Sequence, residues 1–274
     1  MRLSISNIAW EVAEDEQIAE LLAASGVDAI DIAPGKYFPQ PAQASEQQIL
    51  QVRDWWRARG VEIVGMQALL FGTSGLNVFG DADSRAALLE HLAAVCRIAG
   101  KLGATRVVFG SPKNRDRSGL DDQQAQAIAV AFFRQVGAIA QAEGVVFCLE
   151  PNPTCYGANF MTCAADTAHI VRQVAHPAVR MQFDTGALAI NGEDPLAVLA
   201  DCAELIGHVH ASEPQLLPLG DGATPHADMA VAIARYLPEH IVTVEMVATA
   251  GEAHGQSVAR ALGIARQHYL EVRP

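Results

Sequence analysis

Short apolar runs rich in Val, Ile and Phe recur along the whole chain, and between them apolar residues return every three or four positions. The first pattern is that of a buried strand and the second that of a helix with one apolar stripe. Eight runs are legible, over residues 2–9, 28–33, 61–69, 105–110, 145–150, 179–184, 206–212 and 241–246. In the intervening stretches Leu88, Leu92, Val95, Ala99 and Leu102 share one helical face, as do Ile128, Phe132, Val136 and Ile139. Ser45 with Gln48 makes a capping-box start for the second helix. Gly26, Gly60, Gly103 and Gly144 each stand just ahead of a run, where a helix end needs a left-handed residue before the chain turns inward. Strict alternation of strand and helix predicts the α/β class with a parallel sheet, and eight repeats predict a single (β/α)8 TIM barrel domain over residues 1–274. No linker, low-complexity tract or break in composition divides the chain.

Composition adjusts this picture in three ways. With 274 residues, 50% of them hydrophobic and 18% charged, the chain is the right size to fill one such barrel. A net charge of −12 argues against nucleic acid as a partner, because binding to phosphate backbones depends on Lys and Arg displacing counterions. The five cysteines are odd in number and form no C-x-x-C pair, which suits reduced thiols in a cytoplasmic protein better than disulfides. The N-terminus lacks the apolar core of a signal peptide, and no apolar stretch approaches the ~18 residues of a membrane span. A cytoplasmic protein without a membrane partner is expected, and self-association into a homo-oligomer stays open.

Chemistry enters at the ends of the later runs. VVFCLE, VRMQFD, IGHVH and IVTVE close on Glu150, Asp184, His210 and Glu245, which stand 34, 26 and 35 residues apart, one strand–helix unit per step. In a parallel barrel all four would converge on the C-terminal mouth. Each alone has a bland reading, an acidic helix cap or a packed histidine. Together, without a cation, they would repel one another and lose solvation, so one shared divalent metal ion is the better account. Carboxylate and imidazole suit Mn²⁺, the expected ion, with Mg²⁺, Co²⁺ and Zn²⁺ as alternatives. His208 lies one layer deeper and is expected to support the ligands.

The segments CLEPNP around Glu150, QFDTG around Asp184, the H-x-H-x-x-E run from His208 to Glu213, and VTVEM around Glu245 resemble the sugar phosphate isomerase/epimerase superfamily. These are xylose-isomerase-like barrels that include ketose 3-epimerases, inosose dehydratase and dehydroshikimate dehydratase. The resemblance implies that Glu150 and Glu245 are the acid/base pair of a sugar isomerase or epimerase, with Asp184 and His210 as metal anchors. A proton next to a carbonyl is too weakly acidic for an unaided carboxylate, whereas a divalent cation on the oxygens stabilises the enediolate that develops. The chain departs from the ketohexose epimerases in the substrate pocket. Where those enzymes carry a further glutamate and a histidine it has Tyr156 and Ala187, and their arginine after the metal-binding histidine is missing from ASEPQLL.

Candidates for a rebuilt grip on a carbohydrate-like small molecule are Lys113, Arg115 and Arg117 in GSPKNRDR, which would meet a phosphate or carboxylate unless the loop is merely solvated. Asn152, Tyr156 and Asn159 follow Glu150 and are candidates for hydroxyl contacts, alongside Gln67 and Glu213. His254 is a candidate to close over the mouth and Trp10 to wall the pocket, with a surface histidine and a core tryptophan as the plainer readings. The main rival reaction is a metal-dependent dehydratase, in which Lys113 or His254 protonates a departing hydroxyl. A multi-zinc endonuclease would need more ligands and a basic face, and a non-catalytic carbohydrate-binding barrel would bind metal without exchanging substrate hydrogen.

Overall fold

The β-branched and aromatic runs all form strands, and eight parallel strands close a barrel in sequence order. They are β1 (Arg2–Ser6), β2 (Ala29–Ile32), β3 (Glu62–Met66), β4 (Arg106–Phe109), β5 (Val146–Leu149), β6 (Val179–Asp184), β7 (Ile206–Ser212) and β8 (Ile241–Glu245), with β8 pairing back onto β1. The computed structural model describes residues 1–271. Helices cross outside the barrel after each strand, the longest being Ala82–Leu102 and Asp122–Ala142. No helix among the described residues is long and apolar enough to cross a membrane.

The helices start and stop as local chemistry dictates. Ser45 Oγ accepts from Gln48 N and the Gln48 side chain accepts from Ser45 N at 2.9 Å, satisfying two N–H groups that helix Glu46–Arg57 would otherwise leave open. Gly26 and Gly103 cap their helices at φ 67° and 86°, a region that a Cβ disfavours. The stripe from Leu88 to Leu102 is buried throughout. On helix Asp122–Ala142 the seam is rotated slightly from the expected one: Phe132 and Val136 are buried, but Ile128 and Ile139 lie at its margin while Ala125, Ala129, Phe133 and Ala140 fill its centre. Small alanines let this long helix lie close to the barrel, so the largest apolar residues need not mark the contact line.

Two strands end three residues short of their apolar runs. The expected β1 run to residue 9 stops at Ser6, because Asn7–Ala9 form a 3-10 turn in which Asn7 Oδ1 accepts from Ala33 N at 2.7 Å. The run to residue 69 stops at Met66, and Ala68, at φ 52°, turns the chain into a loop of apolar residues over the barrel mouth.

The barrel interior is not wholly apolar. Asp31 of β2 and His208 of β7 belong to strands that do not neighbour each other, yet Asp31 Oδ2 lies 2.6 Å from His208 Nε2, so their bond crosses the inside of the barrel. Gly65 of β3 makes room for it. A Cβ there would come within 2.4 Å of Asp31 Oδ1.

Candidate metal centre

Parallel register brings the strand ends to one level. Asp184 ends β6 directly beside His210 of β7, and Glu245 ends β8 beside Ser212 of the same strand. Glu150 follows β5 by one residue and is held there by its N–H, which donates to Phe109 O at 3.2 Å. One donor atom each from Glu150, Asp184, His210 and Glu245 lies within 4.8 Å of all the others. His210 turns Nδ1 toward Glu245 Oε2 at 3.2 Å and Glu150 Oε1 at 3.7 Å, and its Nε2 toward Asp31 Oδ2 at 3.5 Å. An imidazole with one nitrogen facing a cluster of carboxylate oxygens and the other facing a buried carboxylate at ion-pair distance, with no hydrogen bond yet made between them, suits a metal-binding histidine beside its orienting acid.

The neighbours fix each group. Asp184 caps the helix Thr185–Asn191 by accepting from Ala187 N at 2.6 Å, and its other oxygen accepts from Ser212 Oγ at 2.8 Å, so it serves as helix cap and cluster member at once. Gln67 Nε2 donates to Glu245 Oε1 at 2.6 Å, and Asn152 Nδ2 donates to Glu150 Oε2 at 3.2 Å. The backbone of Gly110 presses so closely on Glu150 that a Cβ would overlap its Oε2. His210 is wholly buried and Asp184 nearly so, whereas the Glu150 and Glu245 side chains keep 12% and 11% of their surface open. The two glutamates are therefore the members that a molecule in the mouth can touch.

The electrostatics call for positive charge. Burial raises the Asp184 carboxyl, and Glu245 and Glu150 add like-charge repulsion, taking it to about 8. Burial works against protonation of His210, but the Glu245 carboxylate and the oxygens of Asp31 and Glu150 overcome it and raise the imidazole well above its ordinary value. Asp31 goes the other way: its burial is outweighed by His208 and then His210, which hold it below the carboxylate range. The cluster thus favours bound positive charge, which a cation would supply. Six of the eight buried side-chain polar atoms without a partner among the described residues belong to Asp31, Gln67, Arg115, Glu150 and His210, which concentrates the unmet bonding capacity in and around this cluster. Three carboxylates and an imidazole so placed fit a hard or borderline divalent ion.

Above the cluster opens a cavity of about 520 Å³. Gln67, Lys113, Asn152 and Tyr156 line it with Glu150, Asp184 and Glu245, so these sequence candidates do share one space. Lys113 Nζ donates to Thr73 O at 3.0 Å, and Tyr156 Oη accepts from Gln215 N at 2.8 Å.

Other candidates lie elsewhere, each for a physical reason. Arg115 is fully buried behind Glu150 and donates to its backbone oxygen at 2.6 Å, outside the cavity lining. Glu213 is buried in its own loop, accepting from Gly220 N and Thr224 N at 3.0 Å and facing His226 at 3.2 Å; it ties the chain after β7. His254 is held by Glu14 at 2.6 Å and Thr249 O at 3.2 Å, at the start of its helix, and does not close the mouth. Arg117 pairs with Asp122, and Asn159 accepts from Arg117 N and donates to Asp116, so both stitch surface loops together. Trp10 is core: wholly buried against Trp56, with its indole N–H on Asp15 at 2.8 Å.

Sequence reasoning passed over Asp31. Its signal was present, since an acidic residue inside the apolar run DAIDIA must find a buried partner. The cavity walls from Leu70, Phe71 and Leu216 come from irregular loops and carried no periodic signal.

The chain matches the family model of the xylose isomerase-like TIM barrel over residues 19–266. No curated protein matches its sequence. Solved structures of similar shape include a D-psicose 3-epimerase from Clostridium cellulolyticum H10 with D-tagatose, at 20% identity and TM-score 0.81, covering 98% of this chain and 99% of that one. Another is a 3-keto-D-glucoside 4-epimerase from E. coli, at 16% identity and TM-score 0.79, covering 97% and 99%. A third is the IOLI protein with a binding zinc atom, at 15% identity and TM-score 0.76, covering 98% of each chain. At these identities the likeness shows the shared fold.

Proposed function

The chain belongs to the xylose isomerase-like TIM barrel family, and from that premise we propose that it is a divalent-metal-dependent isomerase or epimerase of a sugar, sugar phosphate or related polyhydroxy compound. The observation that carries this reading is the meeting of four donor atoms within 4.8 Å at the floor of an open cavity. Glu150, Asp184, His210 and Glu245 would hold the ion, with Mn²⁺ the expected one. When bound, a divalent cation supplies Lewis-acid stabilisation of the negative charge that grows on a carbonyl oxygen as the neighbouring C–H bond ionises.

The remaining work falls to the protein's own side chains. Glu150 and Glu245, the two partly open carboxylates, take and return the proton on the reacting carbon. Each is steadied by an amide donor, Asn152 for Glu150 and Gln67 for Glu245, which leaves a second oxygen for chemistry. Asp184, tied to Ser212, and His210, wholly buried with Asp31 facing its Nε2 at 3.5 Å, serve as anchors. Lys113 is the cationic side chain in the cavity lining and suits an anionic group on the substrate. A dehydratase on the same centre shares the first proton abstraction. Lys113 favours that second reading, as an ammonium in the cavity able to protonate a departing hydroxyl, while His254 is occupied by Glu14.

The test is a screen of sugars, sugar phosphates and keto-inositols in D₂O with added Mn²⁺. Deuterium entering carbon next to the carbonyl, lost on chelation, is the expected result, and product mass separates epimer from dehydrated product. No uptake with any polyhydroxy carbonyl compound by protein that binds Mn²⁺ would overturn the reading.

A further inference from the structure

Behind the site lies a charge that the proposed chemistry has not used. Arg115 sits in the turn Pro112–Arg115 after β4, fully buried, with Nη1 donating to the backbone oxygen of Glu150 at 2.6 Å. Its Nε and Nη2 have no partner among the described residues, and it makes no ion pair there. The turn is pinned: Asn114 Nδ2 donates to Leu76 O at 2.7 Å and its backbone oxygen accepts from Val78 N at 2.9 Å. The guanidinium is thus held in place and not left adrift. A guanidinium stays protonated at neutral pH even when buried, so the turn holds a fixed positive charge against Glu150. A buried, unpaired guanidinium costs folding free energy, and support for one backbone carbonyl needs only a neutral donor.

The charge sum of the site gives it a purpose. Three carboxylates around one divalent ion leave a net negative charge, which would oppose any further negative charge developing on a substrate. Building on the metal-dependent reading above, we propose that Arg115 is a positioning residue that fixes Glu150 from behind and supplies the counter-charge of the loaded site, so that the cluster of three carboxylates and one divalent ion is electrically balanced. It acts through Glu150 and does not touch the substrate. The consequence has a sign that a structural role lacks. A fixed positive charge beside the cluster repels the metal ion as well, so removing it should tighten metal binding, whereas loss of a mere carbonyl support should loosen it.

The experiment is calorimetric titration with Mn²⁺ alone on the intact wild-type protein, Arg115→Gln and Arg115→Lys. Gln can still donate to the Glu150 oxygen but carries no charge, and Lys keeps the charge. The expected result is binding about tenfold tighter in Arg115→Gln and within about threefold of wild type in Arg115→Lys. Unchanged or weaker binding in a folded Arg115→Gln would overturn the proposal. Should that variant fail to fold, Arg115→Lys decides, since Mn²⁺ affinity altered by more than about tenfold while charge is kept contradicts the counter-charge role. Wild-type protein that binds no Mn²⁺ would remove the metal-dependent reading and this proposal with it; wild-type binding with no gain in Arg115→Gln would remove this proposal alone.

Discussion

Replacing Asp31 with Asn changes one buried charge and almost no volume, and its effect on metal binding can be worked from the contacts. Asp31 Oδ2 lies 2.6 Å from His208 Nε2 and 3.5 Å from His210 Nε2, while Oδ1 has no partner and faces Gly65. The amide oxygen of Asn can replace Oδ2 against His208 with its NH₂ in the Oδ1 position, so the fold should survive. What disappears is the carboxylate charge 3.5 Å from His210 Nε2, which favours a proton on that nitrogen and so leaves Nδ1 free to bind an ion. Loss of such an orienting acid typically weakens metal affinity by about 10- to 100-fold, or ~1.4 to 2.7 kcal/mol. Exchanging a charged for a neutral hydrogen bond to His208 should also cost about 1 kcal/mol of stability, seen in metal-free protein. The assay pairs Mn²⁺ calorimetry with thermal unfolding in chelator. An Asp31→Asn protein that binds Mn²⁺ within about twofold of wild type would refute the role given to Asp31.

Other expectations follow from the same geometry. Glu150→Gln and Glu245→Gln should each keep the fold yet lose about 10² to 10⁴ in turnover at matched Mn²⁺ occupancy; near wild-type turnover by either would make that glutamate a ligand only. Lys113→Ala should raise KM for an anionic substrate with a modest change in kcat, as measured by steady-state kinetics, because uniform binding is lost. The raised values at Asp184 and His210 share one sign: each favours the fold below its unfolded value, 3.8 and 6.5, and loses that contribution as pH rises through its folded value, about 8 for Asp184. Metal-free protein should therefore lose stability as pH rises from about 4 to about 8 through Asp184, with His210 adding to the loss above 6.5, and the rise in Tm on adding Mn²⁺ should grow across that window in thermal scans with and without chelator. A Tm gain that shrinks with rising pH would contradict the shifts.

How much of this was legible in the sequence depends on what each residue answers to. All eight strands were readable, because a strand covered on both faces is mostly apolar, even where a polar residue such as Asp31 or His208 interrupts it. The convergence of Glu150, Asp184, His210 and Glu245 followed from parallel strand ends, a geometry fixed by topology alone. Loop residues were another matter. GSPKNRDR offered three cations alike in sequence, yet Lys113 reaches the cavity, Arg115 turns inward behind Glu150, and Arg117 pairs with Asp122. Glu213 follows β7 at a spacing that suggested the mouth, but three donors from the chain ahead of it, at Gly220, Thr224 and His226, draw it into the loop. Such choices depend on partners distant in sequence, which no local pattern records. Asp31 is the intermediate case, where the need for a partner could be read but not the identity of His208 and His210.

Anomalous diffraction from a crystal soaked in Mn²⁺, measured at the manganese edge, tests the central claim most directly. The expected result is a single peak bonded to Glu150, Asp184, His210 Nδ1 and Glu245. A peak seated instead among Asp31, His208 and His210, the other group of buried ligand atoms, or no peak at saturating Mn²⁺, would contradict it.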